Sequence, residues 1–167
     1  MLLAIISDTH LPRGPRRLPD ACVERLEAAD MILHAGDFSS ASMLHALETI
    51  GPVAGVHGNV DDREVQRRMP ARRIVEADGA RIAMVHDAGP ALGRLERMRR
   101  RFPSVDAVVF GHSHIPLHER APGGRNGRFQ IFNPGSPTER RRAPAHTMGL
   151  ARVEGGKIDF ELIAEST

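Results

Sequence analysis

The chain has 167 residues, 41% hydrophobic and 26% charged, which is enough for one packed domain and too balanced for a disordered or fibrous protein. A net charge of +2, with no tryptophan and no tyrosine, argues against the strong basic field and the stacking platforms of nucleic-acid binders. Cys22 is the only cysteine, which excludes an internal disulfide framework and a cysteine-rich zinc site and fits a reducing compartment.

Leu2–Ile6 reads as a strand buried on both faces, and it ends in Ser7-Asp8-Thr9-His10. This apolar run lacks a basic leader, and no run approaches the ~20 apolar residues of a membrane span, so a soluble, cytoplasmic protein is expected. Residues 11–19 hold three prolines, a glycine and three arginines, and must form a loop. Asp20 is placed to cap a helix through about Ala28, with Val23, Leu26 and Glu27 on its half-buried face. Met31–His34 is a second strand, ending at Gly36-Asp37. A helix then starts at Ser39 or Ser40, carries Met43, Leu44, Leu47 and Ile50 at helical spacing, and stops at Gly51-Pro52. A third strand, Val53–Val56, ends at Gly58-Asn59, and Asp61 and Asp62 open a helix reaching about Met69.

Beyond this point the rhythm changes. Residues 72–76 and 81–85 flank Asp78-Gly79, a hairpin signal, and the second of these strands ends at His86-Asp87. Residues 92–101 read as a basic helix with Leu95 and Met98 on its apolar side. It leads into the strand 105–110, which ends at Gly111-His112-Ser113-His114, where Gly111 lets the chain turn. Residues 118–120, 129–132, 146–153 and 157–163 read as antiparallel strands.

Five successive strands therefore end in Asp8-x-His10, Gly36-Asp37, Gly58-Asn59, His86 and Gly111-His112-x-His114. Taken singly, each fits a turn residue, a helix cap or a satisfied core histidine. Taken together they lie at the carboxyl ends of strands, where α/β sheets bind ligands. Carboxylate, imidazole and one amide oxygen suit manganese, iron, zinc or nickel better than calcium. If Ser113 continues an extended backbone, His112 and His114 point the same way and serve two neighbouring ions.

At these residues, from Leu2 to about Ser136 and including Asn133-Pro134-Gly135-Ser136, the sequence resembles the calcineurin-like metallophosphoesterase superfamily, in particular its small single-domain phosphodiesterase branch. The resemblance implies one α/β domain over residues 1–167, an αββα sandwich of two mixed sheets flanked by helices. It also implies two divalent transition-metal ions, manganese first and nickel, cobalt, iron or zinc after it. Asp8, His10 and His114 would hold one ion and Asn59, His86 and His112 the other, with Asp37 bridging. The implied chemistry is in-line attack on phosphorus by a metal-bridging hydroxide. Asp106 and Asp87 are candidates for orienting the histidines, and Arg13, Arg16 and Arg17 for holding substrate.

The sequence departs from the family pattern in two places. Val60 stands where many members carry a histidine after Gly-Asn, which leaves His57 and Asp61 as the local candidates for a general acid. Asp87 follows His86 where the branch more often has glycine and a further histidine. The expected partner is a small phosphodiester, with neither membrane nor nucleic acid, and self-association is left open. Two other readings remain: a non-catalytic scaffold, as in the retromer subunit similar to this branch, and a nuclease using the arginines at 97, 99–101 and 140–142.

Overall fold

A computed structural model describes residues 1–165 of the chain. The run Leu2–Ile6 forms strand β1, and its alternate residues go to opposite cores. Leu3 and Ile5 join one buried cluster and Ala4 and Ile6 another, as a two-residue period requires. Helix α1 (Asp20–Glu27) and β2 (Met31–His34) follow, then α2 (Ala41–Ile50), β3 (Val53–Gly55) and α3 (Arg63–Arg68). β1, β2 and β3 are parallel neighbours.

Two antiparallel strands from the far end of the chain, β9 (His146–Glu154) and β10 (Lys157–Glu165), complete this sheet in the order β10-β9-β1-β2-β3. The second sheet holds the hairpin β4 (Arg72–Ala77) and β5 (Ala80–Val85), then β6 (Ala107–Val109), β7 (Leu117–Pro122) and β8 (Arg128–Asn133). Their order is β4-β5-β6-β8-β7.

One apolar cluster, including Leu3, Leu33, Met84, Val109 and Phe132, lies between the sheets. A second joins β1 and β2 to α1, α2 and α3 through Leu26, Leu44, Leu47 and Val65. A third joins the other sheet to α4 (Arg94–Arg101) through Met98, Phe102, Val108 and Phe110. The result is two mixed sheets between outer helices, the αββα sandwich expected from the sequence. Among the described residues, no helix is long and apolar enough to cross a membrane.

Several local expectations need correction. Asp20 is the first helical residue rather than the cap, and the position before it is Pro19, which offers no side-chain cap. The buried face of α1 is Cys22 and Leu26, four residues apart, while Glu27 is exposed. Ser40 does not cap α2 with its hydroxyl. Asp62, from the next loop, accepts from the Ala41 amide at 2.9 Å, and its other oxygen accepts from Val65 at 2.9 Å, so one carboxylate caps two helices. The basic helix begins at Arg94, because Gly93 is left-handed (φ 69°) and leaves Leu92 outside it. β8 is antiparallel to β7 but parallel to β6, so the late strands are not all antiparallel.

Candidate metal centre

β1, β2, β3, β5 and β6 deliver their carboxyl-terminal loops to one edge, and the loops are tied together by backbone. Asp8 N–H donates to the Gly36 carbonyl at 2.9 Å, His10 N–H to that of Asp37 at 3.1 Å, and Gly111 N–H to that of His86 at 2.9 Å. Gly111 is needed for close approach rather than for a turn. A Cβ there would overlap Ser7 Oγ and stand 2.7 Å from Asp8 Oδ2. Gly58 is under the same constraint, since a Cβ would overlap the Asp37 carboxylate.

Two groups of donor atoms meet at this edge, one of Asp8, His10 and His114 and the other of Asp8, Asp37 and His86. In the first, His114 Nε2 lies 3.4 Å from Asp8 Oδ1 and 3.3 Å from His10 Nε2. In the second, His86 Nε2 lies 3.2 Å from Asp37 Oδ2 and 3.1 Å from Asn59 Oδ1, and Asn59 Oδ1 is 3.2 Å from His112 Nδ1. Asp37 Oδ2 is also 3.7 Å from His10 Nε2, so this carboxylate stands between the two groups. All seven residues expected as ligands therefore converge, from positions as far apart as Asp8 and His114.

The histidines are aimed by backbone carbonyls. His86 Nδ1 pairs with the Ala35 carbonyl at 2.8 Å and His114 Nδ1 with that of Glu139, which puts the proton on Nδ1 and turns the Nε2 lone pair toward the site. The Asp8 carboxylate accepts from Ser7 Oγ and from the His112 amide, and Asp37 Oδ1 accepts from the Val60 amide at 3.0 Å.

Electrostatics mark the same atoms. Burial pushes Asp8 up to about 7. For Asp37 burial also raises the carboxyl, but the hydrogen bond and charge of His86 outweigh it and bring it to about 2. Burial lowers His86, yet Asp37 and Asp8 carry it up to about 8. Burial holds His10 below its ordinary value and takes His114 down to about 4. Carboxylates and imidazoles thus share one buried edge, close enough to set each other's charge.

The donor set fits transition-metal ions. Two imidazoles bound to one tetrahedral ion at about 2.0–2.1 Å place their nitrogens about 3.4 Å apart. The His10 and His114 nitrogens stand at 3.3 Å. Asp8, His10, Asp37, His86 and His114 are accordingly candidate ligands for divalent metals.

Other expectations fare differently. Asp61 is buried and its carboxylate accepts from the amides of Gly58, Asp37 and Ser39 at 2.7, 3.0 and 2.8 Å, which makes it a brace for the loops and removes it as a free general acid. His57 is half-buried, with Nδ1 3.1 Å from the Gly58 carbonyl. Asp106 is at the opposite end of β6 from the histidines, where it accepts from Arg81 N–H and Arg125, so it cannot orient them. Asp87 is exposed and 3.9 Å from His112 Nε2. Arg13 and Arg16 are paired with Glu139 at 3.4 and 3.0 Å, and Arg17 faces Asp20 at 3.5 Å.

The sequence singles out Ser136 as part of a motif and the arginines at 140–142, but not the bracing role of the 136–141 segment. Ser136 Oγ donates to the Asp8 carbonyl at 2.8 Å and Thr138 Oγ1 to that of Thr9 at 2.7 Å, so this segment fixes the first ligand loop. His34 was also missed. It is fully buried, accepts from Gly36 N–H at Nδ1, and pairs through Nε2 with Thr9 Oγ1 at 3.1 Å.

Comparison with known proteins gives a consistent result. The model of the calcineurin-like phosphoesterase superfamily domain matches residues 1–156. A probable metallophosphoesterase of Methanothermobacter thermautotrophicus is 34% identical, with 98% of this chain and 92% of that protein aligned. A probable metallophosphoesterase of Methanocaldococcus jannaschii is 31% identical over 98% of this chain and 81% of its own length. Among solved structures, Vps29 of Entamoeba histolytica complexed with zinc superimposes with a TM-score of 0.76 at 20% identity, covering 98% and 99% of the two chains. A novel archaeal phosphodiesterase superimposes with a TM-score of 0.68 at 19% identity, covering 98% of this chain and 100% of that one.

Proposed function

Because this chain belongs to the calcineurin-like phosphoesterase superfamily, we propose that it is a dinuclear, metal-dependent phosphodiesterase acting as one domain over residues 1–167 in the cytoplasm, with manganese as its first metal and a small phosphodiester as its substrate. The observation that carries the reading is the Asp37 carboxylate, whose Oδ2 stands 3.2 Å from His86 Nε2 and 3.7 Å from His10 Nε2 and so joins two donor groups. Two divalent cations, when bound, activate water at neutral pH and neutralise charge growing on a phosphoryl group.

The protein's own part is positional. Asp8, His10 and His114 would hold one cation and Asn59, His86 and His112 the other, with Asp37 shared. The Val60 amide fixes Asp37 Oδ1 and leaves Oδ2 free to face the site. The Ala35 and Glu139 carbonyls keep His86 and His114 in the ligating tautomer. No side chain after Gly58-Asn59 is free to protonate a leaving group: Val60 is apolar and Asp61 is committed to three amides, which leaves His57 as the local candidate. That favours aryl diesters, whose acidic phenol leaving groups depart without a proton. A non-catalytic scaffold is the alternative, and the retained set of seven donors argues against it.

Chelation tests the reading. Hydrolysis of bis(4-nitrophenyl) phosphate is expected to vanish after treatment with a strong chelator and return with manganese, nickel or cobalt. Undiminished turnover with metal verified absent would overturn it.

A further inference from the structure

Among the described residues, eight other than glycine have left-handed backbone, a conformation that is strained for an L side chain. Five of them, Asp8, His10, Asp37, His112 and His114, carry donor atoms of the candidate metal centre. Ser39 gives its amide to Asp61 beside that centre, and Asp78 makes the β4–β5 hairpin turn. The eighth is Arg141, at φ 47°. Its side chain returns to the site, where Nη1 donates to the His112 carbonyl at 3.3 Å.

The chain leading to Arg141 is already tied to the centre through Ser136 on the Asp8 carbonyl, Thr138 on that of Thr9, and the Glu139 carbonyl on His114. Arg13 and Arg16 spend their charge on Glu139, whereas Arg141 forms no ion pair among the described residues. Its neighbour Arg140 is turned back onto the Ala143 carbonyl, so 140–142 is not a uniform solvated run.

We propose that Arg141 is a substrate-binding residue of this site, its guanidinium anchored on His112 and offering its remaining N–H groups to a non-bridging phosphoryl oxygen. This rests on the phosphodiesterase reading and extends it. The planar fork matches phosphate geometry in a way an ammonium cannot.

The test uses Arg141→Gly and Arg141→Lys in the full, manganese-loaded chain. Glycine relieves the left-handed strain, so the fold is not put at risk by that exchange. Binding of inorganic phosphate is expected to weaken about tenfold or more in Arg141→Gly, a loss of the size of one charge-assisted hydrogen bond. KM for bis(4-nitrophenyl) phosphate should rise in parallel, metal content should be unchanged, and Arg141→Lys should recover part of the loss. Phosphate affinity and KM equal to wild type in Arg141→Gly overturn the proposal, as does a loss of metal accompanying the loss of phosphate. If the wild type hydrolyses no diester but phosphate binding still depends on Arg141, the phosphodiesterase reading fails and the anion contact stands.

Discussion

Replacing Asp37 is expected to abolish hydrolysis. Asp37→Ala removes a carboxylate that faces histidines of both donor groups, so binding of both cations should weaken. Turnover of bis(4-nitrophenyl) phosphate should fall about a thousandfold or more, as expected when metal-ion catalysis is lost. Part of any effect in the alanine variant is conformational, because Asp37 has φ 59° and its Oδ1 holds the Val60 amide. Asp37→Asn separates these effects, since asparagine tolerates left-handed backbone and keeps an acceptor for Val60 while removing the bridging charge. Both variants should fail in metal content and turnover. His114→Ala, which faces only the Asp8–His10 group, should loosen mainly one ion. Normal metal content and turnover in Asp37→Asn would refute the bridge.

The second large effect concerns substrate class and follows from Val60. An alkyl monoester has a poor leaving group unless a proton reaches the departing oxygen, and the position after Asn59 offers none. Catalytic efficiency on bis(4-nitrophenyl) phosphate, whose phenolate departs without a proton, is expected to exceed that on glycerol 2-phosphate by about a hundredfold, the scale of one missing general acid. Val60 is 47% exposed and contributes its amide, not its side chain, to Asp37, so Val60→His is compatible with the fold. That variant should narrow the gap by raising the monoester rate. Equal efficiencies in the wild type would remove the argument.

The strand ends were legible because each joins two independent signals, an apolar β-type run and a change to metal-binding residue types. Local backbone was not legible. The i, i+2 argument placed His112 and His114 on an extended chain facing one way. Both are left-handed instead, and they reach different donor groups, His112 that of Asn59 and His114 that of Asp8. Tertiary packing, not strand pleat, aims these rings.

The role of the 136–141 segment is hidden for another reason. Its hydroxyls and carbonyls act on the backbone of Asp8 and Thr9 and on a ring nitrogen of His114, interactions that the residue types alone do not reveal. Asp61 illustrates the converse. A carboxylate near the site suggests proton transfer, but three amide donors show it to be a brace for the loops.

The central claim is that two cations joined by Asp37 make this chain a phosphodiesterase, and a metal titration tests it most directly. Metal-free protein is loaded with increasing equivalents of manganese, and bound metal and hydrolysis of bis(4-nitrophenyl) phosphate are measured in the same samples. The account predicts two bound ions per chain, with turnover appearing as the second site fills. Full turnover in metal-free samples, or none with both sites filled, would contradict it.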